Sequence, residues 1–455
     1  PPRAGRQQGS AGSGGCAAPA FFMPILERLL MSLSTMSREE LEALSHEINT
    51  RYEDFKGKNL SLDLTRGKPS AQQLDLSNGL LSLLGEGSTT DVDGTDARNY
   101  GNLAGLKSIR TIWADILGVP VEEIIAENNA SLEIMHYVLT FAMLHGLPSS
   151  PQPWVKENTL KWLCPVPGYD RHFSITETLG FEMIQVPMNE DGPDADAIAD
   201  LVANDPSIKG MWLVPVFANP DGTVTSREVA EKLVSMPTAA SDFTIMWDNA
   251  YGIHTLTDEF PEILPIVKMA ADAGHPDRVF QLTSSSKITF AGAGVSFLNT
   301  SSTNLDWYKK YLGIATIGPN KISQLAHVRF FGNADGVKAH MLKHKDILAP
   351  KFAAVEKILA ERLGEYDVAT WTEPKGGYFI SLDVVPGTAK RVVALAAEAG
   401  IKLTNAGSAY PKGEDPKETN IRLAPSLPPL EEITVAMDGV ATCVLKAALE
   451  KALAA

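Results

Sequence analysis

Lys287 stands between a run of hydroxyls, Ser284-Ser285-Ser286, and a small glycine-broken segment that ends at Gly294. A lysine amine can condense with a carbonyl to give a Schiff base. Asp248 can hold a proton on a pyridine-type nitrogen. Tyr251, three residues on, and Asn219 can hydrogen-bond a phenolate oxygen. Asn129, Ala130 and Ser131 fall at the mouth of a predicted helix, where free N–H groups and the helix dipole point outward together and can bind a phosphate. Taken singly, each has a plainer reading. Asn and Ser cap helices, Asn219-Pro220-Asp221-Gly222 is a good β-turn, and Tyr169 in a Pro-Gly-Tyr turn can be packing.

The elements that must position these residues show in the hydrophobic pattern. Ile208–Phe217, Phe243–Asp248 and Arg278–Leu282 read as apolar strands, separated by helical stretches at Ser226–Met236 and Pro261–Ala271. Strand–helix–strand units of that length give parallel strands. Asn219, Asp248 and Lys287 then fall at carboxyl ends of parallel strands, on the edge where an open α/β sheet places its ligand. Gly294–Asn299 follows Lys287 too closely for a crossover helix and is expected to run antiparallel. Upstream, Ser37 is a candidate N-cap for a helix over 37–49. A helix is expected over Leu103–Leu117 with Leu106, Ile109, Ile112, Trp113 and Ile116 on one face. A short strand at 123–127 precedes a helix over Leu132–Leu144. Strands are also expected near 162–166 and 181–187. From about 326 the pattern changes to long helices (339–363, 387–399 and 430–451) with strand-like segments at 377–382 and 419–423, which reads as a separate α+β domain.

Together, Lys287, Asp248, Tyr251, Asn219 and the helix mouth are the handles that pyridoxal phosphate needs: an amine for its carbonyl and a partner for its pyridinium nitrogen. Four motifs then resemble one family, the fold-type I pyridoxal-phosphate-dependent aminotransferases. They are Asn219-Pro-Asp-Gly222, Asp248-Asn-Ala-Tyr251, Ser284-Ser-Ser-Lys287 and Asn420-Ile-Arg422-Leu423, in the family's order and at spacings of 29, 39 and 135 residues. More narrowly, Leu64-Thr-Arg-Gly-Lys-Pro69 and Lys287-Ile-Thr-Phe-Ala-Gly-Ala-Gly294 look like the MocR-like aspartate aminotransferase subgroup. The resemblance implies an α/β fold with a large, mostly parallel sheet flanked by helices and a smaller α+β domain. It divides the chain into a leader (1–36), an N-terminal segment packing with the small domain (37–71), a large cofactor-binding domain (72–325) and a small C-terminal domain (326–455).

The resemblance also implies roles. Lys287 carries the cofactor and moves a proton between substrate Cα and cofactor C4′. Asp248 pairs with the pyridinium nitrogen, Tyr251 and Asn219 hold the 3′-oxygen, and Tyr169 lies against the ring. Ala130, Ser131 and Ser284 bind the phosphate, and Tyr100 reaches the phosphate of a partner subunit in a homodimer with shared active sites. Arg422 clamps the substrate α-carboxylate and Gly67 passes near the substrate. Many relatives carry an arginine eight residues after the lysine; here that position is Val295. The subgroup suggests transfer from aspartate or glutamate to a 2-oxo acid such as 2-oxoglutarate. A second cation is then expected at the distal carboxylate, with Lys321 favoured over Arg329, Arg66 and Lys68. A decarboxylase or β-lyase would use the same residues. A MocR-type sensor domain would carry a winged-helix module ahead, whereas about 36 residues precede the first helix here.

Composition narrows the field further. The chain has 455 residues, 44% hydrophobic and 21% charged, with a net charge of −15, as a soluble cytoplasmic protein would have. An acidic surface argues against nucleic acid held by bulk electrostatics. No apolar run is long enough to span a membrane. Cys16, Cys164 and Cys443 form neither a disulfide framework nor a zinc motif. The resemblance implies small-molecule partners, an amino acid and a 2-oxo acid. Gly101–Ser108 misses the spacing of a P-loop, and Gly292-Ala-Gly294 lacks the rest of a dinucleotide fingerprint. His340 and His344, at i and i+4 among Lys338, Lys343 and Lys345, read as a solvated helix face rather than a metal site.

Overall fold

The computed structural model describes residues 32–85 and 87–455, so the expected leader over 1–36 lies almost wholly outside the described residues. Its centre is an eight-stranded sheet. The strand order is Ile124–Ala126, Ser296–Asn299, Val279–Ser284, Thr244–Asp248, Ile208–Leu213, Lys161–Val166, Glu182–Asn189 and Gly192–Pro193. Val279–Ser284, Thr244–Asp248, Ile208–Leu213, Lys161–Val166 and Glu182–Asn189 run parallel. Ser296–Asn299 runs antiparallel to Val279–Ser284, as its short connection requires.

The central strands are apolar without alternation because both faces are covered. Trp212, Met246 and Phe280 point to one core with Met135, Val138 and Leu139. Met211, Ile245 and Val279, one residue earlier on the same strands, point to the opposite core with Ala230 and Leu233. Period-two geometry sorts the side chains between two helical layers. Ile208–Leu213 is shorter than expected: Val214–Phe217 leaves the ladder, and Phe217 adopts a φ of 50° just before Asn219. The helix expected from Leu103 begins at Lys107, after Gly105, whose φ is +79°. A side chain at Gly105 would meet the Ala126 carbonyl at 2.4 Å.

The C-terminal part holds a three-stranded antiparallel sheet, Ala369–Trp371, Ile380–Val384 and Asn420–Leu423. The helices Ala389–Glu398 and Leu430–Ala454 pack beside it. The first helix, Arg38–Lys56, opens on a capping box between Ser37 and Glu40 and buries Ile48, Tyr52 and Phe55 against Val440 and Leu359 of this part. Leu62–Asp63 pairs in parallel with Ile401–Lys402. The break expected between 325 and 326 falls inside helix Lys321–Phe331, whose Leu325 and Phe331 pack with Ile109 and Trp113. Helix Ala334–Leu363 then passes from that core, through Val337 and Met341, to the C-terminal core, through Phe352 and Val355. One helix thus joins two cores. His340 and His344 lie on its inner side, 4% and 1% exposed, so the solvated-face reading is corrected. The lysines beside them in sequence point elsewhere on a 100° wheel.

Candidate active site

Thr244–Asp248 delivers Asp248 at its carboxyl end, in a core formed by apolar neighbours on both sides. Asp248 is 2% exposed. One carboxylate oxygen, Oδ2, accepts from His172 Nε2 at 2.9 Å, and the other, Oδ1, is buried with no partner in the protein. A buried carboxylate oxygen left unpaired is costly, so it marks a place where a donor belongs. His172, which holds Asp248, was missed by the sequence reading. It stacks on Trp212 with ring centroids 4.6 Å apart and meets the edge of Tyr169 at 4.9 Å. The available signal was its place three residues after Tyr169, on the same face of helix Asp170–Thr178.

Lys287 follows the carboxyl end of Val279–Ser284 in a single tight turn, where the N–H groups of Ile288 and Thr289 donate to the Ser285 carbonyl at 2.9 and 3.0 Å. Its Nζ sits 4.8 Å from the centre of the Tyr251 ring. Tyr251 is buried, and burial, then the charge of Asp248, pushes its phenol far up. Burial pushes the Tyr169 phenol up to about 12, with the charge of Lys287 pulling the other way. Asp248, Tyr251, Tyr169 and Lys287 therefore share one space.

Arg422 enters from the C-terminal sheet, opposite Ser381 in the register. Its Nη1 donates to Asp170 Oδ1 at 3.0 Å and to Asn219 Oδ1 at 3.4 Å. Its Nε is buried with no partner, so part of the guanidinium fork is uncommitted. The guanidinium lies 4.9 Å over the Phe379 ring. A side chain at Gly67 would meet that ring at 2.3 Å, which explains the glycine. Gly67, Phe379 and Arg422 form one stack, and its middle member was not found from sequence. Asp170 was missed as well, because it carries no motif of its own.

At the other end, helix Ser131–His145 starts with Ala130 at its N-cap and no side-chain cap, leaving its first N–H groups open. The Ser284–Ser286 turn is stitched to this mouth. Ser286 Oγ donates to the Asn129 carbonyl at 2.6 Å, and Asn129 Nδ2 donates to the Ala291 carbonyl at 3.2 Å. Val295 packs in the core with Trp113 and Phe297. Tyr100 and Lys321 lie apart from Arg422 and line a separate cavity with Pro319 and Asn320. Lys321 Nζ donates to the Gly101 carbonyl at 2.7 Å. Tyr100 is 82% exposed. Arg329 is committed to the carbonyls of Leu83 and Ser88.

This arrangement suits a planar ligand with a cationic ring nitrogen for Asp248 Oδ1, a carbonyl for Lys287, an anionic group for the helix mouth, and a second carboxylate-bearing ligand for Arg422.

Three comparisons bear on the identity of the chain. It matches the family described as aspartate amino-transferase over residues 36–455. It is 59% identical, over 420 residues, to an aspartate aminotransferase of Corynebacterium glutamicum, covering 92% of this chain and 97% of that protein. The crystal structure of an aspartate transaminase from Corynebacterium glutamicum superposes with a TM-score of 0.92 at 59% identity, covering 93% of this chain and all (100%) of that one. An α-aminoadipate aminotransferase from Thermus thermophilus, solved with N-(5′-phosphopyridoxyl)-L-leucine, shares the fold at 20% identity with a TM-score of 0.70, covering 87% of this chain and 93% of that one.

Proposed function

The chain belongs to the aspartate aminotransferase family, and from that premise we propose that it uses pyridoxal 5′-phosphate to move the amino group of aspartate or glutamate to a 2-oxo acid such as 2-oxoglutarate. The observation that carries this reading is the unpartnered Oδ1 of buried Asp248 in the same space as Lys287. When bound, the cofactor supplies an electron-accepting ring that withdraws charge from the substrate Cα.

The chain's own residues then divide the work. Asp248, oriented by His172, holds the proton on the ring nitrogen. Lys287 would hold the cofactor through its amine, and that amine would then serve as the base that moves a proton between the substrate Cα and the neighbouring cofactor carbon. Tyr251 and Asn219 hold the ring oxygen. Tyr169 covers the ring face and keeps water out. Ala130, Ser131 and Ser284 hold the phosphate through N–H groups and a hydroxyl, which must substitute for the arginine that Val295 replaces. Arg422 takes the substrate α-carboxylate in a planar, two-bonded grip that lysine cannot reproduce.

Tyr100 and Lys321 fit a different place. Both lie on one rim, away from Arg422, and the tyrosine is exposed. In a homodimer with shared sites, that rim supplies Tyr100 to the partner's phosphate and Lys321 to the partner's distal carboxylate. Among the described residues no helix is long and apolar enough to cross a membrane.

The test is a transamination assay with aspartate, glutamate, alanine and an aromatic amino acid as donors and 2-oxoglutarate as acceptor (oxaloacetate as acceptor for the glutamate arm). Acidic donors should exceed the others in kcat/KM by about tenfold or more, the worth of one good ionic contact. Equal rates on all four would sink the dicarboxylate assignment.

A further inference from the structure

His340 and His344, read from sequence as a solvated face, instead sit directly behind Lys287. The hydrogen-bond directions there can be worked out from one backbone group. The Ser70 N–H can only donate, and it donates to Gln73 Oε1 at 3.0 Å. That fixes the amide, so Gln73 Nε2 is the group facing His344 Nδ1 at 3.0 Å and the Tyr378 hydroxyl at 2.9 Å. Both accept from it. Tyr378 is left with its own O–H, which donates to the Lys287 carbonyl at 3.2 Å. His344 is left with its proton on Nε2, which donates to the Ile288 carbonyl at 2.9 Å. His340 Nε2 reaches the same carbonyl at 3.0 Å. Burial lowers the basicity of both imidazoles, His344 to about 4, in keeping with the neutral tautomer that this pattern requires.

The carbonyls of Lys287 and Ile288 are thus both held from behind by buried side chains. Gln73 is 0% exposed and Tyr378 is 1% exposed. Nothing in the cofactor or substrate chemistry uses these groups. A core could have been apolar here at lower desolvation cost. What the grip does is fix the two successive peptide planes that follow Lys287 and Ile288, and hence the backbone turn from which the Lys287 side chain leaves. We propose that Gln73, Tyr378, His344 and His340 are positioning residues that aim Lys287 at the cofactor. This rests on the reading of Lys287 as the cofactor lysine.

Tyr251, Tyr169 and His254 face Lys287, and Asp248, Asp170 and Arg422 stand next to those tyrosines. None of these is altered in the test. Holoenzymes of the wild type, Tyr378→Phe and Gln73→Leu are titrated with pH while the absorbance of the lysine-bound cofactor is followed, and kcat and KM are measured alongside. Tyr378→Phe keeps the ring and loses one oxygen, so it remains informative where Gln73→Leu fails to fold. Expected are a shift of the absorbance midpoint by more than about half a pH unit and a fall in kcat of about tenfold, with KM for the amino donor changing by less than about twofold. A purely structural network would lower the melting temperature and leave the midpoint where it is in the wild type; that result overturns the proposal. Absence of any titrating band in the wild type would remove the cofactor reading and this inference with it.

Discussion

Arg422 and Asp248 do opposite jobs with the same strategy: each is buried, oriented by a neighbour, and left with one uncommitted atom. Free polar atoms of this kind are rare in a finished core, and here they point at what binds. Arg422→Lys keeps the charge and loses the planar fork. The lost charge-assisted bond is worth about 1.5–3 kcal/mol, so KM for the amino donor should rise about 10- to 100-fold with kcat less affected, as steady-state kinetics would show. Asp248→Asn keeps the shape and loses the charge. Cofactor binding, followed by equilibrium dialysis, should weaken by about 2–5 kcal/mol, and an unchanged Kd would mean that Asp248 does not face the ring nitrogen. The placement of the motif residues was partly legible in the sequence: Asp248 ends a strand, Tyr251 and Lys287 follow strand ends by three residues and Arg422 lies on the C-terminal strand, whereas Asn219 stands six residues beyond the end of its strand. His172, Asp170 and Phe379 were not legible, because each acts by touching a motif residue across a fold that no local spacing records.

Elements explain why the site survives as a unit. Adjacent parallel strands in fixed register, with Asp248 opposite Leu282, bring Asp248 beside the turn that carries Lys287. Unbroken apolar runs between helical stretches made those strands visible in the sequence. The long helix Ala334–Leu363 was visible too, but not which way its histidines face, since a histidine among lysines looks polar whichever core it enters. The Gly67 stack belongs to this scale. Gly67→Ala would drive a methyl into the Phe379 ring, and the resulting overpacking should cost about 1–3 kcal/mol of stability and disturb Arg422, seen as a lower melting temperature together with a raised KM. Glu127, at the end of strand Ile124–Ala126, is another buried group, with Oε1 unpartnered; burial pushes its carboxyl up to about 7. The folded state therefore binds a proton that the unfolded chain releases nearer its ordinary value of 4.5. The stability linked to this proton is complete below about pH 4.5 and is lost as pH rises through about 7. Glu127→Gln should melt progressively higher than the wild type between about pH 5 and pH 8, and a constant gap across that range would contradict the buried-acid reading.

At the scale of the whole molecule, composition predicted an ordinary globular chain and the acidic charge argued against nucleic acid, while the family follows from 420 aligned residues at 59% identity. The break between the two cores was the least legible feature, because one helix serves both and its pattern does not change at the crossing. Tyr100, 82% exposed, and Ile322, 37% exposed, line one rim with Lys321. A second copy covering that rim would complete both sites. Sedimentation should give the mass of two chains, and Tyr100→Phe should weaken cofactor binding without splitting the pair; a monomer with full activity would remove the shared-site reading.

The most direct test of the central claim is a cofactor absorbance scan of the purified holoenzyme during stepwise addition of aspartate, with Lys287→Ala run in parallel. The account predicts that the wild-type band of lysine-bound cofactor gives way to that of the aminated cofactor and returns on adding 2-oxoglutarate. In Lys287→Ala the cycle should slow by on the order of 10² to 10⁴, the usual worth of a positioned proton-transfer group. A Lys287→Ala protein that cycles at the wild-type rate would contradict the assignment on which every other role depends.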